Sequence, residues 1–206
     1  MIIGTDFDNT IVCYETLFHK TAVAAGLIPE TTSANKGAVR DYLRQCGKED
    51  AWTELQGTVY GLDIRDAHAF PGAPDFFKHC RDKGIEIHII SHKTRTPFLG
   101  PPYDLHETSY HWLESRGFFD PEGIALSGKR VHFELTREGK LRRIAEVGCT
   151  HFIDDLPEFL KDPLFPAGVR RILFDPAGQA PRDPCYFRAS SWAQIGKFLE
   201  ERAFLR

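Results

Sequence analysis

The sequence predicts an α/β protein whose core is a doubly wound, Rossmann-like parallel sheet and whose second part is a small, all-helical insertion. Three observations support this fold class. Short apolar runs alternate with segments of helical spacing, as in parallel sheets with right-handed crossovers. Several of these runs end in polar residues, which is typical of strands that reach the ligand-binding edge of an open sheet. One long segment after the first run has helical spacing and no convincing strand.

The first predicted strand occupies residues 1–6, and the helical segment follows it. Apolar residues recur at helical spacing in three stretches of this segment, at residues 16–25, 36–46 and 52–60. We therefore assign residues 13–69 to a helical insertion, and residues 1–12 and 70–206 to the α/β core.

Helices and strands alternate through the rest of the core. The predicted helices are residues 75–83, 106–116, 137–147 and 192–202, and the predicted strands are residues 85–90, 131–135, 150–153 and 171–175. Gly84, Gly117 and Gly148 each follow a predicted helix at the position where glycine commonly ends one. Thr136 is suited to cap the helix that follows it, and Ser190 or Ser191 is suited to cap the last helix.

The composition is that of an ordinary globular protein. The 206 residues are 42% hydrophobic and 27% charged, which suits one domain with an insertion. A net charge of −3 gives no general attraction to nucleic acid or to an anionic membrane. No apolar run is long enough for a transmembrane helix. We therefore expect neither kind of partner, and the sequence leaves the oligomeric state open.

The cysteines and the N-terminal sequence indicate the compartment. The cysteines are odd in number and scattered, at positions 13, 46, 80, 149 and 185, which is typical of reduced thiols. The N-terminal stretch lacks the basic and long apolar regions of a signal peptide. We therefore expect a cytoplasmic protein.

Two carboxylates, Asp6 and Asp8, end the first predicted strand, and the polar pair Asn9-Thr10 follows them. Residues two apart in a strand point the same way. Two such anions repel each other unless a cation lies between them, and Mg²⁺ prefers carboxylate and phosphate oxygens. The segment therefore indicates a phosphoryl-transfer site. A plain strand-to-loop exit with solvated carboxylates is the alternative.

Two other predicted strands also end in polar side chains. Ser91 follows the strand at residues 85–90, and Asp154 and Asp155 follow the strand at residues 150–153. Because parallel strands end at the same edge of a sheet, we expect these residues to converge with Asp6.

The residues at these strand ends resemble, in type and order, the motifs of the haloacid dehalogenase (HAD) superfamily of hydrolases. The matching positions are Asp6 to Thr10 for the first motif, Ser91 for the second, Lys140 for the third, and Asp154 with Asp155 for the fourth. The resemblance covers the chain outside residues 13–69, which correspond to the helical cap that many members carry between the first two motifs.

The resemblance implies a role for each of these residues. Asp6 would be the nucleophile that forms an aspartyl phosphate, and Asp8 would be the general acid and base. Ser91 and the main-chain amide of His92 would bind phosphate oxygens, and Lys140 would offset the negative charge. Lys93 and Lys129 compete with Lys140 for that last role, and Lys140 leads because it begins the helix that precedes the Asp154 strand.

The resemblance also implies a magnesium site. Mg²⁺ would be bound by Asp6, the main-chain carbonyl of Asp8 and Asp154, with waters. Asp155 is either a direct ligand or a neighbour of one, and the sequence does not separate the two. A family position four residues after Asp154 is usually aspartate but is Glu158 here.

The expected activity is Mg²⁺-dependent hydrolysis of a small phosphorylated metabolite, either a sugar phosphate or a nucleotide monophosphate. Asp8 favours a phosphatase over a dehalogenase, because a halide needs no proton when it leaves. A phosphonate hydrolase would need a lysine in its cap, where Lys20 and Lys36 are available. A receiver-type signalling domain fits poorly, since its acidic pair and phosphorylated Asp come in a different order. The remaining alternative is a non-catalytic, phosphate-binding regulatory protein.

Substrate choice is expected to depend on basic residues outside the motifs. The candidates are Lys20, Lys36, Arg40, Arg44 and Arg95. Three of them recur every fourth residue and would form one basic stripe on a helix. Such a stripe either recognises a second anionic or hydroxylated group of the substrate or is a solvated surface.

Overall fold

The computed structural model describes residues 1–203, and the chain folds into two compact units. The first unit contains Met1–Ile11, Ala69–His92 and the chain from Gly117 onward, and the second contains Val12–His68 and Lys93–Arg116. In chain order the elements are β1 (Ile2–Thr5), β2 (Val12–Cys13), α1 (Glu15–Ala24), α2 (Lys36–Gln45), α3 (Glu49–Gly61), β3 (His68–Ala69), α4 (Ala73–Asp82), β4 (Glu86–His92), α5 (Leu105–Ser115), β5 (Val131–Glu134), α6 (Arg137–Val147), β6 (His151–Asp154), α7 (Pro157–Leu160), β7 (Arg170–Phe174), β8 (Phe187–Ala189) and α8 (Trp192–Ala203).

A six-stranded parallel sheet in the order β5-β4-β1-β6-β7-β8 forms the core of the first unit. β1 lies inside the sheet and pairs through Thr5 with Ile89 of β4 and Ile153 of β6. Gly4 is required in β1, because a Cβ atom there would lie 2.5 Å from Cδ2 of Phe152. The parallel sheet with connecting helices confirms the predicted fold class.

Two apolar clusters hold helices against this sheet. Phe76 and Phe77 of α4 pack on Trp192 of α8, with ring centroids 5.0 and 6.2 Å apart. Leu141 and Ile144 of α6 belong to a second cluster of buried side chains that includes residues of β6 and β7. The second cluster also includes Ile90 and Phe152, so buried apolar contacts anchor β4 and β6, the strands that carry Ser91 and Asp154.

The second unit is helical and has an aromatic core. The ring centroids of Phe18 in α1 and Trp52 in α3 are 5.2 Å apart, and those of Tyr60 and Tyr14 are 5.0 Å apart. α5 belongs to this unit, because the indole nitrogen of Trp112 donates to the Ala67 carbonyl at 3.0 Å. The sequence assigned residues 93–116 to the α/β core, whereas the structure groups Lys93–Arg116 with the helices. That this unit acts as a cap stays a prediction.

Several short elements differ from the sequence-based prediction. β2 and β3 form a two-stranded sheet at the ends of the segment expected to be all helical. The four-residue helix α7 and the three-residue strand β8 also lie where neither was predicted. All five cysteines are free thiols, as expected. Within residues 1–203, no helix combines the length and hydrophobicity that crossing a membrane requires.

Candidate active site

The predicted motif residues lie at the carboxyl edge of three neighbouring strands. Asp6 directly follows β1, and its main-chain N–H donates to the carbonyl of Ile153 in β6 at 2.8 Å. Asp154 is the last residue of β6, and Ser91 lies near the end of β4 on the other side of β1. The parallel arrangement therefore brings three chain segments that are distant in sequence to one edge of the sheet.

Lys140 joins two of these carboxylates. Its Nζ lies 2.6 Å from Oδ1 of Asp6 and 2.6 Å from Oδ2 of Asp154. The other oxygen of Asp154 accepts a hydrogen bond from the Leu156 main-chain N–H at 2.9 Å. Asp154 is 0% exposed, Lys140 3% and Asp6 6%. The three side chains form a buried cluster with two negative charges and one positive charge.

Burial and charge act in opposite directions on the pKa values of this cluster. Burial alone lowers the pKa of Lys140, but the nearby Asp154 and Asp6 outweigh that effect and hold its pKa well above the ordinary value. Burial raises the pKa of Asp154 to about 6, although Lys140 opposes the rise. Lys140 therefore keeps its charge at neutral pH, and the pair of carboxylates is only partly neutralised by it.

The position of Lys140 follows from the start of α6. Thr136 caps this helix, and its Oγ1 accepts a hydrogen bond from the Gly139 N–H at 3.0 Å. The ammonium of Lys140 also lies over the rings of Phe159 and Phe152, at 4.2 and 5.5 Å from their centroids. These cation–π contacts were not predicted, and the only sequence signal for them is the aromatic residues on either side of Asp154.

The loop after β1 has two unusual features. Asn9 has a φ of +54°, in the left-handed region that asparagine tolerates better than most residues. Among the described residues, the buried Oδ1 of Asn9 and Oγ1 of Thr10 have no hydrogen-bond partner. Phe7 is fully buried and packs edge-on against Phe133 of β5, with 5.6 Å between the ring centroids. Buried, unsatisfied oxygens beside carboxylates are a common sign of a missing ion or water.

The other predicted motif residues lie close to this edge in the chain but differ in exposure. Ser91 is buried, Asp8 and Asp155 are half-buried, and His92 is exposed. Among the three candidate lysines, Lys140 contacts Asp6, whereas Lys129 is exposed in a short 3₁₀ turn before β5.

Lys93, the third candidate lysine, belongs to the helical unit. Its main-chain carbonyl accepts a hydrogen bond from His106 at 2.8 Å, and its ammonium lies 5.1 Å from the ring centroid of Tyr60.

The five candidate specificity residues also lie in the helical unit, in different surroundings. Arg40 pairs with Asp41 at 2.8 Å, Arg44 pairs with Glu49 at 2.8 Å, and Arg95 pairs with Asp104 at 2.8 Å, while Lys20 is exposed. Lys36 is half-buried, and its Nζ hydrogen-bonds the Tyr60 hydroxyl at 2.9 Å. The basic stripe is thus divided: two of its members form surface ion pairs, and Lys36 points into the aromatic core.

The residues at the sheet edge suit a magnesium ion. Within residues 1–203, no three His, Cys, Asp or Glu side chains lie together as a complete metal cage. Mg²⁺ does not need one, because it is usually bound through one or two carboxylates plus waters and substrate phosphate. Asp6 and Asp154 supply two carboxylates with only oxygen donors, and the two buried oxygens without a partner in the described part of the chain belong to Asn9 and Thr10, which follow Asp6 in the chain.

Comparisons with known proteins identify the fold. No protein-family model matches the sequence, and no curated protein matches it significantly. The chain is similar over 97% of its length to a putative HAD-hydrolase from Bacillus subtilis bound to magnesium, with 15% identity, 98% coverage of that chain and a TM-score of 0.60. It is similar over 97% of its length to a HAD family hydrolase from Deinococcus radiodurans with bound phosphate and sodium, with 15% identity, 95% coverage and a TM-score of 0.59.

A HAD phosphatase from Thermococcus onnurineus is also similar, with 14% identity, coverage of 96% of this chain and 97% of that one, and a TM-score of 0.53. Another similar structure is described as a dehalogenase, so the shared architecture accommodates both kinds of hydrolase. Fold, strand order and similarity over nearly the whole length agree, and the chain has the fold of the HAD-superfamily hydrolases.

Proposed function

We propose that the protein is a Mg²⁺-dependent phosphatase that hydrolyses a small phosphorylated metabolite through an aspartyl-phosphate intermediate. The observation that carries this proposal is the cluster in which Nζ of Lys140 lies 2.6 Å from both Asp6 and Asp154. Phosphoryl transfer requires chiefly positioning and charge neutralisation, and a buried lysine between two carboxylates at a sheet edge supplies both. The similar structures include a HAD phosphatase, which agrees with this chemistry.

In the first step a carboxylate oxygen of Asp6 attacks phosphorus, and the bond from phosphorus to the leaving oxygen breaks. Lys140 holds the Asp6 carboxylate in place through Oδ1. Asp8, two residues further on, donates its proton to the leaving oxygen. The organic part of the substrate then departs as an alcohol.

In the second step water attacks phosphorus of the aspartyl phosphate and gives its proton to Asp8. The acyl-phosphate bond breaks, Asp6 returns to its carboxylate form and inorganic phosphate leaves. Ser91 and the main-chain amide of His92 bind phosphate oxygens in both steps. Asp6, Asp154 and the Asp8 carbonyl would hold Mg²⁺, which would supply positive charge to the phosphoryl oxygens when bound. Asp155 lies next to this ligand set in the chain.

Lys36 is the best-supported candidate for substrate recognition among the basic residues of the helical unit. Its ammonium is 2.9 Å from the Tyr60 hydroxyl and lies 5.4 Å from the Phe18 ring centroid, so its direction is fixed by packing. Arg40 and Arg44 of the same stripe form ion pairs with Asp41 and Glu49 at the surface. We therefore propose that Lys36 binds a second anionic or hydroxylated group of the metabolite.

The test is hydrolysis of a generic aryl phosphate by the purified protein with Mg²⁺. We expect turnover that a chelator abolishes, and a loss of about 10³-fold or more in kcat for Asp6→Asn, because the nucleophile is removed. The matched control is Asp82→Asn, which changes an exposed aspartate of α4 that pairs with Arg81. This control should keep the wild-type rate.

Two other outcomes would replace the proposal. Release of halide from a haloacid, without phosphatase activity, would identify a dehalogenase. Binding of inorganic phosphate with no turnover of any phosphoester would favour the non-catalytic regulatory protein. Screening phosphorylated metabolites with Lys36→Met beside the wild type then tests the recognition role, since this variant should raise KM for the preferred metabolite and leave kcat for the aryl phosphate unchanged.

A further inference from the structure

Three titratable side chains outside the site form a continuous hydrogen-bonded row across β4 and β5. Nε2 of His88 lies 2.8 Å from Oε1 of Glu86, and Nδ1 of His88 lies 3.2 Å from Nε2 of His132. His88 is buried, His132 is half-buried and Glu86 reaches the surface. None of the three has a part in the proposed hydrolysis.

The geometry fixes which nitrogen carries each proton. The imidazole rings are nearly parallel, at 11°, and their centroids are 5.4 Å apart, so they meet edge to edge through the nitrogens. A carboxylate only accepts hydrogen bonds, and His88 must therefore donate Nε2–H to Glu86. In the neutral ring Nδ1 is then an acceptor, and His132 donates its Nε2–H to it.

Counting protons gives the row an unusual property. Two neutral rings carry two N–H groups, and the hydrogen bond between them forms. A third proton on the pair is still compatible with that bond, because one of the two facing nitrogens remains bare. A fourth proton puts an N–H on both facing nitrogens, which abolishes the bond and places two imidazolium ions 3.2 Å apart at the facing atoms. The pair accepts one proton readily and resists the second.

The charged groups around the row reinforce this asymmetry. At the Glu86 end, the hydrogen bond from His88, the guanidinium of Arg130 and the amino group of Met1 lower the pKa of Glu86. At the His132 end, burial, Arg143 of α6 and His88 lower the pKa of His132 against the opposing effects of Glu134 and Glu146. Burial and the neighbouring cations therefore disfavour a positive charge on His132.

The row holds an edge strand that adjoins the site. β5 pairs with β4 and is the last strand of the sheet on that side. Phe133 of β5 follows His132 in the chain and packs against Phe7, the residue between Asp6 and Asp8. Glu134 of β5 pairs at 2.8 Å with Arg143, one turn beyond Lys140 on α6. A change in how β5 is held reaches both the loop after β1 and the helix of Lys140.

We propose that Glu86, His88 and His132 form a proton-counting clamp that fastens β5 to β4 with up to one extra proton and releases it when a second proton binds. The clamp tolerates mild acidification and opens at lower pH. Because its states are defined by imidazole protons and strand pairing, it is independent of the proposed hydrolysis.

The first experiment is a pH titration of the ¹⁵N-labelled full chain followed by imidazole NMR. We expect both rings as Nε2–H tautomers above about pH 8, and uptake of two protons by the pair in two separate steps at least about one pH unit apart. Two rings that titrate independently near about 6.5 would overturn the proposal.

The second experiment measures amide hydrogen exchange of β5 as a function of pH, corrected for the intrinsic rate. In the wild type we expect protection of β5 to fall as the second proton binds. His132→Gln keeps an N–H donor for His88 but does not titrate, so its β5 protection should stay level over the same range. His111→Gln, an exposed histidine of α5, is the control and should follow the wild type. The same fall in all three proteins would overturn the proposal, and the wild-type titration decides it if His132→Gln does not fold.

Discussion

Lys140 offsets part of the charge of two carboxylates in a buried position. Because the neighbouring carboxylates raise its pKa, it binds its proton more tightly in the folded chain than in the unfolded chain. Its contribution to stability is therefore fully present below the unfolded pKa of about 10.4 and is lost as the pH rises above that value. Throughout the neutral range the lysine stabilises both the fold and the arrangement of Asp6 and Asp154.

Replacing Lys140 with methionine should destabilise the protein strongly. The variant keeps most of the side-chain volume but leaves two buried carboxylates facing each other without a cation. We expect a loss of about 3–5 kcal/mol in the free energy of unfolding, measured by urea denaturation, and partial recovery when Asp154→Asn is added.

The matched control for this change is Lys161→Met, which removes a half-exposed lysine 3.5 Å from Asp183. A surface ion pair contributes only about 0–1 kcal/mol, so this variant should stay near the wild type. If Lys140→Met also stays within about 1 kcal/mol of the wild type, the buried cluster is not the electrostatic unit described above.

The sequence predicted which strand ends lie together better than it predicted the contacts between their side chains. Asp6, Asp154 and Ser91 were predicted to meet because parallel strands end together, and that rule depends only on strand order. Among the three lysines the sequence favoured Lys140, which begins the helix before the Asp154 strand. It left Lys93 and Lys129 open, since spacing along the chain does not say which ammonium reaches a carboxylate. The row from Glu86 to His132 was missed because its members lie on two strands whose register the sequence does not specify.

At the scale of elements, the first turn of α6 determines where Lys140 stands. Thr136 accepts a hydrogen bond from the Gly139 N–H, next to the lysine. Thr136→Ala should cost about 1 kcal/mol in stability, since it leaves a helix N–H without its partner. It should also lower the rate of aryl phosphate hydrolysis, because the base of the lysine side chain loses its support.

Thr136→Ser is the conservative control and should retain both stability and rate, since serine caps helices as well as threonine does. A second comparison is Asn35→Ala, which removes the corresponding cap of α2 in the helical unit. That change should reduce stability by a similar amount without altering the rate on the aryl phosphate. Equal kinetic effects of Thr136→Ala and Asn35→Ala would contradict a specific role of the α6 cap.

Long elements with clear periodicity were predicted well, and short elements were not. β4 carries an apolar run and α6 a capped helical pattern, and these patterns specify the two elements locally. β8 has only three residues, Phe187 to Ala189, and it is defined by its pairing with β7, which a local sequence pattern does not specify. α5 was predicted as a helix of the α/β core, whereas the structure groups it with the helical unit, where its Trp112 bonds to Ala67, a contact far away in sequence.

At the scale of the whole molecule, the net charge is −3, and the buried carboxylates of Asp6 and Asp154 share a single lysine. The excess negative charge at this pair favours the binding of a cation there. A ligand that binds the folded chain and not the unfolded chain stabilises it by an amount set by concentration and affinity. Magnesium binding should therefore be measurable as stability, without any reaction.

We expect MgCl₂ at one hundred times its dissociation constant to raise the free energy of unfolding by about 2.7 kcal/mol, measured as a shift in thermal unfolding against NaCl of equal ionic strength. In Asp154→Asn this shift should largely disappear relative to the variant's own metal-free baseline, because a ligand carboxylate is gone. Asp82→Asn removes an equal charge from an exposed position of α4 and should keep the full shift. A shift of the same size in all three proteins would mean that magnesium only screens surface charge, and Asp6 and Asp154 would then be a purely structural pair held by Lys140.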